Sequence, residues 1–329
     1  MPITGVFFIP SNPSASTALG TVTERINSAF AEEPIFIGRW ALEHKLMRDT
    51  PSCISPSTSQ QPKYLQFLSL TYYPTHGFVY ASQPSDSAGP DTTGTKTATP
   101  TPASSQSSQP VPVTTPMIMK TAPVQSTNAL YQHFVYACQP FWAHRHTVAV
   151  LGGNVYEIGD FRVRIGDVRQ MQTAARVRGT VVEVEWRGPS LVSTLSAVYQ
   201  SRRQRKAKVS NPYTWDNEVN DDDDDSGIDM AFTDGVEEAD IDAEYAATAS
   251  LIRDFWANLG IEGAREAILV PDVGKEAKER LRELKRQDKP RPVQEGSDDM
   301  GGQQVDEDPD PNAGVDVARQ FMEILRFNR

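Results

Sequence analysis

The feature that most restricts the fold is an alternation. Phe161, Val163 and Ile165 alternate with Arg162 and Arg164, and further on Val182, Val184 and Trp186 alternate with Glu183 and Glu185. A period of two puts apolar side chains on one face of a strand and charged ones on the other, so both segments read as strands of a sheet with one packed face. The basic and acidic rows then pair across neighbouring antiparallel strands, on what the pattern predicts to be the wet face. Arg145 to Val150, a Gly152-Gly153-Asn154 turn, Val155 to Val168 and Arg176 to Trp186 complete a run of three consecutive antiparallel strands.

The flanking segments carry equally readable periods. Ile3 to Ile9 is a short β-branched and aromatic run between Pro2 and Pro10, hence a strand. Asn12 and Pro13 form an N-cap and first-turn signal for a helix in which Ala15, Leu19, Val22, Ile26 and Phe30 share a face. Ile35 to Met47, Lys63 to Tyr72 and Gly77 to Ala81 read as further strands. Leu130 to Trp142 reads as a helix that stops at or before Gln139, because Pro140 disfavours helical geometry in the residue preceding it. Ile252, Phe255, Trp256 and Leu259 mark one amphipathic helix, and Ala318, Phe321, Met322 and Leu325 mark another at the C-terminal end. Between these, Lys275 to Arg286 has only Ala277, Leu281 and Leu284 as an apolar stripe, so a helix there is expected to be marginal and mostly solvated.

Composition matters where these periods break off. Residues 84–127 are mainly Ser, Thr, Pro, Gln and Ala, 199–243 run from a basic knot into the acidic pentad Asp221 to Asp225, and 271–314 are charged and Pro- and Gly-rich. All three read as disordered insertions, since they cannot bury enough apolar surface to offset the entropy of ordering. The other 196 of the 329 residues suit one domain. Its pieces are 1–83 and 128–198 as two halves of the sheet, a helix within 244–270 and a terminal helix over 315–329. The formal charge of −11 divides in the same way. Residues 216–244 hold fourteen acidic residues and 295–310 hold seven, with no basic residue in either; outside them 32 basic residues face 22 acidic ones.

Several chemistries are excluded or weakened. Cys53 and Cys138 are the two cysteines of the chain, too few for a disulfide framework or a thiolate zinc site, and they suit a reducing compartment. There is no apolar run long enough to cross a bilayer, and the first ten residues, broken at Pro10, are not expected to be a signal peptide. The histidines are His44, His76, His133, His144 and His146; the last two stand two apart, which on a strand puts both on one face, but no third metal ligand stands nearby. Glu183 and Glu185 opposite Arg162 and Arg164 could hold a metal ion and a polyphosphate in a barrel tunnel, the chemistry of a metal-dependent triphosphatase. Plain cross-strand charge pairing is the favoured alternative. No nucleophile elbow, P-loop or dinucleotide fingerprint is present. Arg202, Arg203, Arg205, Lys206 and Lys208 form a candidate nuclear localisation signal, without a recognition helix that would support sequence-specific nucleic-acid binding.

Taken together, these segments resemble the Mediator subunit 20 family, part of the head module of the RNA polymerase II coactivator. The resemblance rests on Gly5-Val6-Phe7-Phe8, on Gln139-Pro140-Phe141-Trp142, on the stretch Val155 to Val168 with its Tyr-x-x-x-Asp-Phe-x-Val-x-Ile-Gly pattern, on Arg178 to Trp186, and on Ala318 to Leu325. It implies an α+β fold, an antiparallel open β-barrel flanked by helices, without catalysis, cofactor or metal. It also implies a nuclear location, a heterodimer with Mediator subunit 18, tethering by a C-terminal helix of Mediator subunit 8, and indirect contact with RNA polymerase II. Arg162, Arg164, Glu183 and Glu185 are then candidates for the polar rim of a partner interface. Phe321, Met322 and Leu325 serve either as core, the preferred reading, or as a cap on a partner groove.

Overall fold

The structure, a computed structural model, describes residues 2–11, 17–50, 63–82, 118–171, 176–209, 235–288, 310 and 312–327. Its centre is a nine-stranded antiparallel sheet. In chain order the elements are β1 (Ile3–Pro10), α1 (Ala18–Ala29), β2 (Ile35–Asp49), β3 (Tyr64–Leu70), β4 (His76–Ser82), β5 (Ile118–Pro123) and α2 (Val124–Tyr136). There follow β6 (Trp142–Ile158), β7 (Phe161–Gln170), β8 (Arg176–Trp186), α3 (Leu191–Val209), α4 (Glu238–Leu259), β9 (Arg265–Ala267), α5 (Lys275–Asp288) and α6 (Val315–Ile324). The strand order is β5-β4-β3-β2-β6-β7-β8-β1-β9, and the sheet does not close, since β5 and β9 remain at its edges.

Alternation sorts the sheet into two faces. Val6 and Phe8 of β1, Val181 of β8, Val168 of β7, Val148 and Val150 of β6, Trp40 and Leu42 of β2, Leu68 of β3 and Phe78 of β4 form one core with Phe321, Met322 and Leu325. The C-terminal helix α6 therefore packs against nearly the whole width of one face, here called the inner face. Every residue of it except Glu323 is buried, including Asp316, Arg319 and Gln320. The intervening residues Phe7, Val163, Ile165, Val182 and Val184 point the other way and pack with Val22 and Ile26 of α1 and Ile252, Phe255 and Leu259 of α4. Further along the outer face Met47, Leu65 and Phe67 meet Tyr131 and Phe134 of α2. Burying several large apolar side chains at about 1.5–3 kcal/mol each is what holds every helix to its face.

Gly314 fixes the entry of α6. Its φ of 78° lies in the left-handed region, and a Cβ there would come within 2.4 Å of the Tyr73 ring, so neither the conformation nor the space admits a side chain.

Several expectations need correction. The strand count in the central run is right, but the turn is not at Gly152-Gly153-Asn154, because β6 continues through those residues with an irregularity in register and the chain reverses at Gly159-Asp160. Gly153 is a point of close approach: a Cβ would lie 2.2 Å from the Trp40 indole nitrogen and 2.4 Å from the Ile165 carbonyl oxygen. The first insertion ends earlier than 127, since Ile118–Pro123 pair with β4 as an edge strand and α2 follows at Val124, six residues before the expected start at Leu130. α2 ends at Tyr136, before Gln139 as expected, and Trp142 opens β6. The 199–243 segment is entered by α3, which continues to Val209, since Gln, Arg, Lys and Ala all favour helix. It is left by α4, which begins at Glu238 because Glu237 and Asp240 close a reciprocal capping box. Lys275–Asp288 is a packed helix, not a solvated one: Ala277, Leu281 and Leu284 are buried against Val192 and Leu195 of α3 and Ile241 and Tyr245 of α4. The described part of α1 starts at Ala18 with Thr17 as N-cap; Asn12 and Pro13 lie outside the described residues, as do Cys53 and Asp221 to Asp225.

Candidate functional site

Three of the four expected rim residues, Arg164, Glu183 and Glu185, form a buried ionic cluster. Strand register sets Arg164 of β7 opposite Glu183 of β8, and Glu185 opposite Thr4 of β1, all on the inner face. Arg164 Nη1 lies 2.6 Å from Glu183 Oε1 and Nη2 lies 2.7 Å from Glu185 Oε2. The Tyr72 hydroxyl donates to Glu183 Oε2 at 2.6 Å, and the Tyr72 ring covers the guanidinium at 4.0 Å. Exposures of 5% for Arg164, 1% for Glu183 and 7% for Glu185 overturn the wet-face expectation. The sheet is covered on this side by Tyr72 and α6, which a two-residue period alone cannot reveal. Arg162, opposite Glu185 on the same face of the sheet, stays outside this cluster: it is partly exposed and donates to Glu157 at 2.6 Å.

Burial pushes the Glu183 carboxyl above its ordinary range, with the Arg164 charge working against that shift. Burial also opposes the charge on Arg164, but Glu183, Tyr72 and Glu185 together hold its pKa above the usual value, so the guanidinium stays charged. Burial, followed by the nearby Glu183 charge, raises the Tyr72 hydroxyl well above normal and keeps it a donor. Both Glu183 oxygens are thus occupied by donors, which is poor preparation for metal coordination. Among the described residues no group of three or more His, Cys, Asp and Glu side chains could hold a metal ion.

A polar seam continues this cluster into α6. Gln320 accepts from the Thr4 hydroxyl at 2.6 Å and donates to the Thr4 and Ile268 carbonyls at 2.7 and 2.8 Å. Asp316 accepts from Tyr245 at 2.7 Å, from the Gly274 N–H at 3.1 Å and from Arg319 at 2.9 Å, and Arg319 also pairs with Glu276 of α5. Burial raises the Asp316 pKa. Phe321, Met322 and Leu325 lie in the core between this seam and the sheet, as preferred.

The histidine pair is divided by a bulge. Between Leu46 and Met47 the register slips, leaving Leu46 opposite His146 and Met47 opposite His144. His144 and His146 consequently face opposite sides, against the expectation of a shared face. His144 is exposed beside Tyr131 and hydrogen-bonds Thr147, whereas His146 is buried 6.1 Å from His44. His76 hydrogen-bonds the Ala313 carbonyl just before α6. His44 was not singled out by the sequence, although its place in an alternating strand marked it as facing inward. Arg202, Arg203, Arg205, Lys206 and Lys208 all fall in the C-terminal half of α3.

A family model described as the TATA-binding related factor (TRF) of subunit 20 of the Mediator complex matches residues 1–326. The chain belongs to the Mediator subunit 20 family. Membership makes it a Mediator subunit acting in transcription regulation in the nucleus. Among solved structures, the PH1819 protein from Pyrococcus horikoshii OT3 is similar over 59% of this chain and 83% of that chain, at 10% identity and a TM-score of 0.25. No curated protein matches the chain.

Proposed function

We propose that this Mediator subunit is a non-enzymatic scaffold of the head module, an open barrel flanked by helices that works through protein contacts. The observation that carries the reading is the filling of the inner face: α6 occupies the side of the sheet where a tunnel enzyme would hold its substrate, and each carboxylate of the charged strands is taken by an internal donor. By family resemblance the partner is Mediator subunit 18, with a C-terminal helix of Mediator subunit 8 as tether and RNA polymerase II reached indirectly. Arg162, on the same face as Arg164 but partly exposed, remains a candidate for a contact rim, and the basic residues Arg202, Arg203, Arg205, Lys206 and Lys208 for nuclear import.

Co-expression with Mediator subunit 18 tests the reading. A heterodimer of one-to-one mass that persists in 1 M salt is expected, since an apolar contact is little screened (a Debye length of about 3 Å at that strength). A chain that runs as a monomer in the presence of subunit 18 contradicts it.

A further inference from the structure

We infer that the N-terminal half of β2 is a docking edge for an extended, apolar strand from a neighbouring Mediator subunit, one bearing a carboxylate near its end. This rests on the scaffold reading above and deepens it by locating the contact. The N-terminal half of β2 is paired on one side only. Residues from Ile35 to Asp49 follow β6, whereas β3 begins its pairing at Leu42. At the junction Ala41 turns its N–H and C=O toward the β3 side, where Thr71 takes both. From Ile35 to Trp40 that side has no strand among the described residues. An unpaired backbone ladder selects an extended segment, because such a segment can satisfy it.

The side chains specify what kind of segment. Ile35, Phe36 and Ile37 are exposed by 63%, 53% and 44%, and Leu151 on adjacent β6 by 63%. The register slip between Phe36 and Gly38 interrupts the alternation at Ile37, so hydrocarbon stands on both faces of the strand as well as along its edge. Phe36 leans on Tyr156 at 5.8 Å, which fixes it as a rigid contact surface. Arg39, exposed and without an ion pair among the described residues, ends the patch and fits a carboxylate on the incoming strand.

The true ends of the sheet are guarded by contrast. β9 has three residues, two of them charged, and β5 carries Lys120, ends at Pro123 and runs directly into α2. Short length, charge and proline are how sheet edges avoid unwanted pairing, and β2 has none of these before Arg39. A long apolar edge left open in a chain that guards its other two is a surface kept for a partner.

The test uses the full chain co-expressed with Mediator subunit 18. Ile35→Lys plus Ile37→Lys, both at exposed positions, should leave the thermal midpoint unchanged and weaken the heterodimer at least about tenfold. Arg39→Glu should weaken it less, by roughly two- to fivefold, and more at low salt than at high. Leu251→Lys, on the exposed side of α4, should leave it unchanged. Backbone amides of residues 35–40 should gain protection from hydrogen exchange on binding. Undiminished affinity in the Ile35/Ile37 double variant, or an equal loss in Leu251→Lys, overturns the docking edge while leaving the scaffold reading intact. Self-association of the isolated chain lost in the double variant, or amides of 35–40 already protected in it, assigns the edge to a second copy or to this chain itself and overturns the inference. Absence of any complex with the wild-type chain overturns the scaffold reading, and the inference with it.

Discussion

Two regions of the inner face bury polar groups in different ways. Around β7 and β8, Arg164 meets Glu183 and Glu185 at 2.6 and 2.7 Å, and Tyr72 completes the set, so charge is kept and fully answered. Around β2 and β6, His44 hydrogen-bonds Gln66 at 2.9 Å, His146 hydrogen-bonds the backbone of Leu325, and Nδ1 of His44 and Nε2 of His146 have no partner among the described residues. Here charge is suppressed instead. Burial, opposed by the Gln66 hydrogen bond and aided by His146, lowers the His44 pKa to about 3. Burial likewise lowers His146 to about 4, with the Leu325 backbone opposing. Both regions are closed by the α6 end of the chain, so the same helix seals a charged cluster at one place and a neutral one at another. What differs is the supply of counter-charge, which decides whether an ionisable group enters a core as an ion or as a neutral molecule.

Breaking the charged region should have the largest effect. Arg164→Ala leaves two carboxylates without their cation and should destabilise by about 3–5 kcal/mol in urea unfolding. Replacing Arg164, Glu183 and Glu185 together with apolar residues of similar volume should cost less than Arg164→Ala alone. Equal or greater cost would mean that the cluster contributes net stability.

Acid should find the other region. Both histidines have folded pKa values below the ordinary 6.5, so below pH 6.5 the unfolded chain takes up protons that the folded chain refuses. Their contribution is complete above pH 6.5 and is lost as pH falls toward 4 and then 3. The limiting slope for His44 is about 1.4 kcal/mol per pH unit. Glu183 and Asp316, raised by burial, act in the opposite sense, so the informative comparison is with the His44→Leu plus His146→Leu chain. Thermal midpoints of that variant should be flatter between pH 6.5 and 4 than those of the wild type.

A smaller effect is expected from Gln66→Leu, which removes the side-chain partner that His44 has among the described residues and should cost about 1–2 kcal/mol by denaturant unfolding. Smallest of all is Arg282→Gln, at an exposed bidentate pair with Glu238, which should leave the unfolding midpoint unchanged within error.

Much of the sheet could be read from the sequence because period-two alternation in segments such as Phe161–Ile165 has one solution. The turn lies at Gly159 and not at Gly152-Gly153 because glycine serves two purposes that look alike in a sequence. Gly153 lets Trp40 and the Ile165 carbonyl approach, whereas Gly159 makes the reversal. Helix α5 was underrated for a different reason: a narrow stripe such as Ala277, Leu281 and Leu284 is weak alone, and its strength comes from α3 and α4, which are distant in sequence. The charged rows were assigned to solvent because alternation identifies two faces without saying whether the second is covered. That covering depends on α6, whose apolar pattern at Ala318, Phe321, Met322 and Leu325 was clear but whose destination was not. The open edge at Ile35–Ile37 is not legible in the sequence, because a short apolar run gives no sign of which side lacks a neighbour.

The scaffold reading has this subunit act by contact within Mediator. Affinity purification of the tagged full chain from nuclear extract, washed at high salt and quantified by mass spectrometry, tests it directly. Recovery of Mediator head subunits in near one-to-one amounts is expected; a tagged chain recovered without them contradicts action by contact.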